Sequence, residues 1–162
     1  MSNKSIVALL FPIMCAAAIG FLLSAYVHIG TYTGIPVPPQ FMSLHIGVFI
    51  VWVPTVLVSN QMVWGARRKD FWRIALRGAP AWMQNGFYIL FGYAILNFIA
   101  SFVVGLNIMR TFSGHWMFFY GSAFAVLYSA RHTEVWQRRC PLGHKVAADA
   151  RYCEKCGRPL AD

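Results

Sequence analysis

Hydrophobic positions in this chain run in long blocks, unlike the short alternating or amphipathic stretches of a soluble domain. From residue 5 to residue 66 no Asp, Glu, Lys or Arg interrupts the sequence. One helical bilayer crossing takes about 20 apolar residues, so this block holds at least two spans. The stretch IVALLFPIMCAAAIGFLLSAYVH predicts the first, at about 6–28, and the Gly- and Pro-rich IGTYTGIPVPPQ after it predicts a loop. A second span is predicted at about 41–64. The segment GARRKDFWRIALRGAP, residues 65–80, mixes basic residues with Phe71, Trp72, Ile74 and Leu76, which predicts a piece lying in the membrane interface. Two further apolar blocks predict spans at about 86–109 and 113–130, joined around Arg110 into an antiparallel hairpin. Pro12 and Pro54 fall inside spans, where neighbouring helices can satisfy the carbonyls they free.

Composition agrees with an all-α membrane protein built as a four-transmembrane-helix bundle. Of 162 residues, 58% are hydrophobic and only 12% charged, the latter about half the share usual in soluble domains. The bundle occupies residues 1–130, a linker 131–139, and a separate small module 140–162. Lys4 followed by an apolar stretch and Ala16 to Ala18 also fits a cleavable signal peptide. The apolar run continues to Val27, longer than a usual signal core, and no small residue precedes Cys15 as a lipoprotein site needs. These features favour an uncleaved span.

The formal net charge is +9, and in a membrane protein the placement of that charge says more than its sum. Lys4, Arg67, Arg68, Lys69, Arg73, Arg77 and the basic residues from Arg131 onward fall on one side of the predicted spans, and Arg110 alone on the other. The asymmetry predicts both termini in the cytoplasm. Trp64, Trp72 and Trp82 fit an aromatic belt on that side. The cluster Arg67, Arg68, Lys69, Arg73 and Arg77 suits anionic lipid head groups. The tail is also net basic, which suits anionic lipid, an acidic protein or RNA; without an array of stacking aromatics, nucleic acid is not expected.

The tail reads RRCPLGHKVAADARYCEKCGRPLAD and gathers Cys140, His144, Cys153 and Cys156. Three thiolates and one imidazole are a common ligand set for structural zinc. Cys153 and Cys156 form a C-x-x-C pair, and Gly157 after them permits the turn that such a pair needs. A reducing cytoplasm favours metal over a disulfide, and the βαβ setting of a thioredoxin-like redox site is missing. The string CP-x-GH-x(8)-C-x-x-CG resembles the short zinc-ribbon module found at the ends of prokaryotic membrane and regulatory proteins. The resemblance covers residues 139–160; the membrane part resembles no family. In the module's commonest form the first knuckle reads CPxCG, whereas here Gly143 holds the second cysteine's place and His144 follows, so His144 completes the set. The resemblance implies a structural zinc, an interaction knob on the cytoplasmic side, and residence in a bacterial cytoplasmic membrane.

The spans themselves carry little chemistry. All five acidic residues, Asp70, Glu134, Asp149, Glu154 and Asp162, lie outside them, which argues against proton relays and cation-coupled transport. No nucleophile, base and orienting group occur together, so no enzyme is predicted. Three stripes predict packing faces: Ala16, Gly20, Ser24 and His28; Tyr93, Asn97, Ser101 and Gly105; and His115, Ser122 and Ser129. Three histidines, His28, His45 and His115, fall at one depth near the outer face. They are either interfacial side chains or the ligands of a haem or of a copper or zinc site, with Met42, Met109 and Met117 nearby. In the second case their rings converge, His28 and His115 closest.

The leading expectation is a non-enzymatic membrane adaptor or accessory subunit, part of a complex or a homo-oligomer, whose ribbon engages a protein partner. The alternative is a haem- or metal-binding redox or sensor protein that uses the outer histidines.

Overall fold

The computed structural model of the chain describes residues 3–105, 107–133, 139–147 and 150–160, with side chains from residue 10 onward. The side chain of Lys4, most of the predicted linker, and Asp149 and Asp162 lie outside the described residues. Among those described, the protein is all-helical: α1 (Asn3–Thr33), α2 (Ser43–Met62), α3 (Phe71–Ala75), α4 (Ala81–Val103) and α5 (Ile108–His132). Short 3-10 turns at Pro39–Met42 and Arg68–Asp70 precede α2 and α3. The segments Leu10–Thr33, Pro39–Met62 and Ala81–Val103 are long and apolar enough to cross a membrane.

The fourth long helix, α5, differs from these three in composition, and packing gives the reason. It lies against α1, α2 and α4 together, so protein surrounds it on most sides. Ser113, Ser122 and Ser129 are fully buried on it, whereas among the described residues only Ile108, at its first turn, is an exposed large apolar side chain. A helix shielded from lipid can carry hydroxyls on its buried face: Ser113 donates to the Arg110 carbonyl and Ser129 accepts from the Gly78 amide, while Ser122 Oγ has no hydrogen-bond partner among the described residues. The other three helices turn residues such as Leu22, Ile50, Ile89 and Phe102 outward. That is the inside-out pattern expected of helices facing hydrocarbon.

Tyr120 marks a close approach in the bundle. Its ring lies where a side chain on Gly20 of α1 would project, its hydroxyl where one on Gly47 of α2 would. That hydroxyl donates to the Leu44 carbonyl at 2.8 Å. Two glycines thus let one large side chain of α5 lock α1 and α2. Ala17, Val27, Val48 and Trp116 complete this part of the core. Further along α5, Ala125 and Val126 meet Leu76, Ala79, Met83 and Phe87, which docks the segment around α3 onto the bundle.

Several expected boundaries move. The helix α1 runs past His28 to Thr33, where a loop was expected. Its last turns are supported by Thr31 and Thr33, whose hydroxyls donate to the His28 and Ile29 carbonyls, and the next proline after Pro12 comes only at Pro36. The expected span at 86–109 is instead α4 at Ala81–Val103, set in motion by Pro80 at its entry, a position that suits proline because no amide donor is needed there. The helix after it starts at Ile108 rather than at 113, because the Asn107 side chain accepts from the Met109 amide at 2.8 Å and caps it.

The stripes hold in part. Gly20, Ser24 and His28 face inward, but Ala16 is exposed and Ala17 takes its place. A step of four residues turns about 40° beyond a full circle, so a row of four such residues wanders off the face. Tyr93 and Asn97 likewise turn inward, while Gly105 lies past the end of α4. A seven-residue step drifts only about 20°, and Ser122 and Ser129 are both fully buried.

Candidate metal centre

Two tight turns build the tail. In the first, the Gly143 amide donates to the Cys140 carbonyl at 2.8 Å, and the Cys140 amide to the His144 carbonyl at 3.0 Å. In the second, the Gly157 amide donates to the Cys153 carbonyl at 2.8 Å, and the Cys153 amide to the Arg158 carbonyl at 2.9 Å. Gly143 and Gly157 have φ of 80° and 68°, the left-handed region that a Cβ disfavours. Isolated β-bridges, Arg139 with Lys145 and Tyr152 with Pro159, flank the turns. Each turn aims two ligand side chains at one point.

At that point the sulfurs of Cys140, Cys153 and Cys156 and one ring nitrogen of His144 all lie within 4.8 Å of one another. The Cys140 and Cys156 sulfurs are 3.7 Å apart, far beyond the about 2.05 Å of a disulfide. His144 Nδ1 is 3.4 Å from the Cys140 sulfur and 3.7 Å from that of Cys153. Zinc bonds of about 2.3 Å to sulfur and 2.0–2.1 Å to nitrogen give tetrahedral edges of about 3.8 Å (S to S) and 3.6 Å (S to N). The donor set and its spacing therefore fit a four-coordinate metal ion such as zinc. Nδ1 is the His144 ring nitrogen that faces the Cys140 and Cys153 sulfurs.

Burial works against the Cys140 thiolate. The His144 and Leu142 amides and the Cys153 and Cys156 thiols outweigh that and hold Cys140 down at about 6. Cys156 behaves oppositely: the Arg158 amide favours its thiolate, but burial and the neighbouring Cys153 and Cys140 sulfurs push its pKa up. One thiolate forms readily and a second beside it does not, which is the electrostatic conflict that a divalent cation resolves. Cys140 and Cys153 are buried with Val146, and Ala150 and Leu160 pack against them. This core is too small to hold the module by burial alone.

The outer histidines do not meet in one group; among the described residues only the tail brings three or more such ligands together. His28 is buried and spent on both nitrogens. Ser113 Oγ donates to the Arg110 carbonyl at 3.1 Å, so it accepts from His28 Nδ1 at 2.8 Å, and Tyr93 then donates to Nε2. Tyr32 lies 3.3 Å behind the Tyr93 hydroxyl. The Arg110 guanidinium covers the Tyr32 ring at 4.0 Å and donates to the Thr31 carbonyl at 2.8 Å. His45, exposed on α2, accepts at Nδ1 from the Trp116 indole at 3.2 Å. His115 bonds the Thr111 carbonyl through Nδ1 at 2.7 Å. The partners of His28 and His115 differ: His28 joins α1 to α4 and α5, whereas His115 bonds back to its own helix.

A metal-bound imidazole keeps a proton on its other nitrogen and donates it to an acceptor. His45 fails this condition, because its Nδ1 faces an indole N–H. A shared haem, copper or zinc site on His28, His45 and His115 is therefore not supported by this arrangement. Sequence reading did not find Ser113, Tyr32 or Trp116, the partners that decide these roles. They lie 61 to 85 residues from the groups they serve, and no local pattern signals such a contact.

No protein-family model, no curated protein and no solved structure matches this chain. The likeness of the tail to a zinc ribbon rests on its residues and their geometry.

Proposed function

We propose that this protein is a four-span integral membrane adaptor with both termini in the cytoplasm, whose tail folds around zinc as a ribbon and engages a protein partner. The observation that carries this reading is the convergence of Cys140, His144, Cys153 and Cys156 within 4.8 Å. Four protein ligands leave no open position for water or substrate, so the zinc is structural. A tail this short gains most of its folding energy from the metal. What such a module then offers is a rigid surface.

The fourth span is α5. Its 25 residues reach about 38 Å at 1.5 Å per residue, enough for the hydrocarbon core. Its polar face is turned into the bundle, and Arg110 and Arg131 lie towards its two ends. The basic residues on the inner side set the orientation. There Asp70 holds Arg67 and Arg73, and the segment they share with Arg68, Lys69 and Arg77 lies against anionic head groups.

The test is affinity purification of the full-length protein from its native membrane, beside the Cys153→Ser variant. The adaptor reading expects a protein partner recovered near stoichiometry with the parent and lost with the variant, while the variant remains in the membrane. Recovery of the same partner by both would remove the ribbon from this role.

A further inference from the structure

The tail rests on the bundle at Gly65. This glycine lies in the loop between α2 and α3, with φ of 76°. A side chain built on it would run into Ala147 of the tail, 2.9 Å from the Ala147 Cβ and 3.2 Å from its Cα. The two segments come this close because one residue has no side chain and the other only a methyl group.

Each side of the contact is fixed by its own neighbours. Ala147 directly follows Val146, which is buried in one cluster with Cys140 and Cys153, and it comes three residues after the ligand His144. The position of Ala147 therefore depends on the fold of the metal cluster. Gly65 leads into the basic segment. The Ala66 amide bonds the Val63 carbonyl and the Asp70 amide the Arg67 carbonyl, both at 2.9 Å, and the Arg68 and Lys69 side chains that follow are exposed. The connection from His132 to Arg139 is short, so the contact forms within one chain at an effective concentration of roughly millimolar and need not be strong.

We propose that the metal-loaded tail is a latch on the loop between α2 and α3. With zinc bound, Ala147 sits on Gly65 and holds residues 63–70 in one conformation. Without zinc the tail loses the turns that present Ala147, because its core is too small to keep them, and the loop is released. The inference rests on the zinc-ribbon reading of the tail and adds to it that the ribbon has a fixed seat on the bundle. Zinc content thereby sets the shape of the loop that enters the basic segment.

The experiment is hydrogen–deuterium exchange of the full-length protein in lipid nanodiscs, with the zinc content of every sample measured beside it. The parent is compared with zinc and after chelation, together with Ala147→Leu, which fills the seat with a larger side chain, and Ala147→Ser, which does not. The expected result is exchange at residues 63–70 about threefold or more slower in the zinc-loaded parent than in the chelated one. Ala147→Ser should match the zinc-loaded parent, and Ala147→Leu should keep its zinc yet exchange like the chelated parent. Gly65→Val places the same clash on the bundle side and leaves the tail sequence intact; with zinc retained, the amides of Lys145 to Ala147 should exchange faster than in the parent. Equal exchange at residues 63–70 in the zinc-loaded and chelated parent overturns the latch while leaving the zinc ribbon in place. A parent without zinc overturns both. The comparison within the parent needs no variant to fold.

Discussion

His144 Nδ1 stands 3.4 Å from the sulfur of Cys140, close to the edge of a zinc tetrahedron. Gly143, between them, turns the chain with a positive φ. Structural zinc in small modules is held by roughly 10–16 kcal/mol shared among four ligands. His144→Ala should therefore weaken zinc binding by about 100-fold or more. Competition with a chromogenic chelator measures this, and unchanged affinity would take His144 out of the ligand set.

The seat of Tyr120 makes a second prediction. A side chain added at Gly20 meets the Tyr120 ring, whereas one added at Gly86 meets nothing within 4 Å. Gly20→Val should destabilise the bundle by about 1–3 kcal/mol through overpacking. Gly86→Ala should be neutral or stabilising by up to about 1 kcal/mol, since alanine is the better helix former. Thermal unfolding in detergent distinguishes the two, and shifts of equal sign and size would contradict the packing.

The two ends of the chain were unequally legible in its sequence. The metal cluster could be read because its ligands lie within seventeen residues, and metal chemistry dictates both residue type and spacing. The three most apolar helices could be read because lipid demands apolar surface all along them. Helix α5 was harder, since the protein around it replaces lipid and relaxes that demand; its N-terminus was missed because the Asn107 cap is a one-residue signal. The roles of the outer histidines were not legible. Depth along a helix follows from counting residues, but the direction of a ring depends on partners such as Ser113 and Trp116 on other helices. Of the stripe Ala16, Gly20, Ser24 and His28, only Ala16 left the buried face, through the drift of a four-residue step.

His28 and Tyr93 should be energetically coupled. The ring of His28 is buried with Ser113 and Tyr93 as its partners, so losing either leaves the other unsatisfied. His28→Ala and Tyr93→Phe should each cost about 1–3 kcal/mol. The double variant should cost less than their sum by about 0.5 kcal/mol or more. Strict additivity in a double-mutant cycle would show that the bond contributes nothing.

Topology offers a fourth check. Reporter domains fused after Gln40 and after Asn107 should both lie outside, and one fused after Asp162 inside. The pair at Asn107 and Asp162 tests α5 directly, because opposite sides require that it crosses. The same side for both would leave only the three most apolar helices as spans.

The central claim is that the tail folds around one zinc ion. Elemental analysis of the full-length protein, purified without chelator, tests it most directly beside the Cys153→Ser and Cys156→Ser variants. One zinc per chain is expected in the parent, with loss of the metal in both variants and the bundle still folded by circular dichroism. Less than about half an equivalent of zinc in the parent, or the same zinc content in parent and variants, would contradict the account.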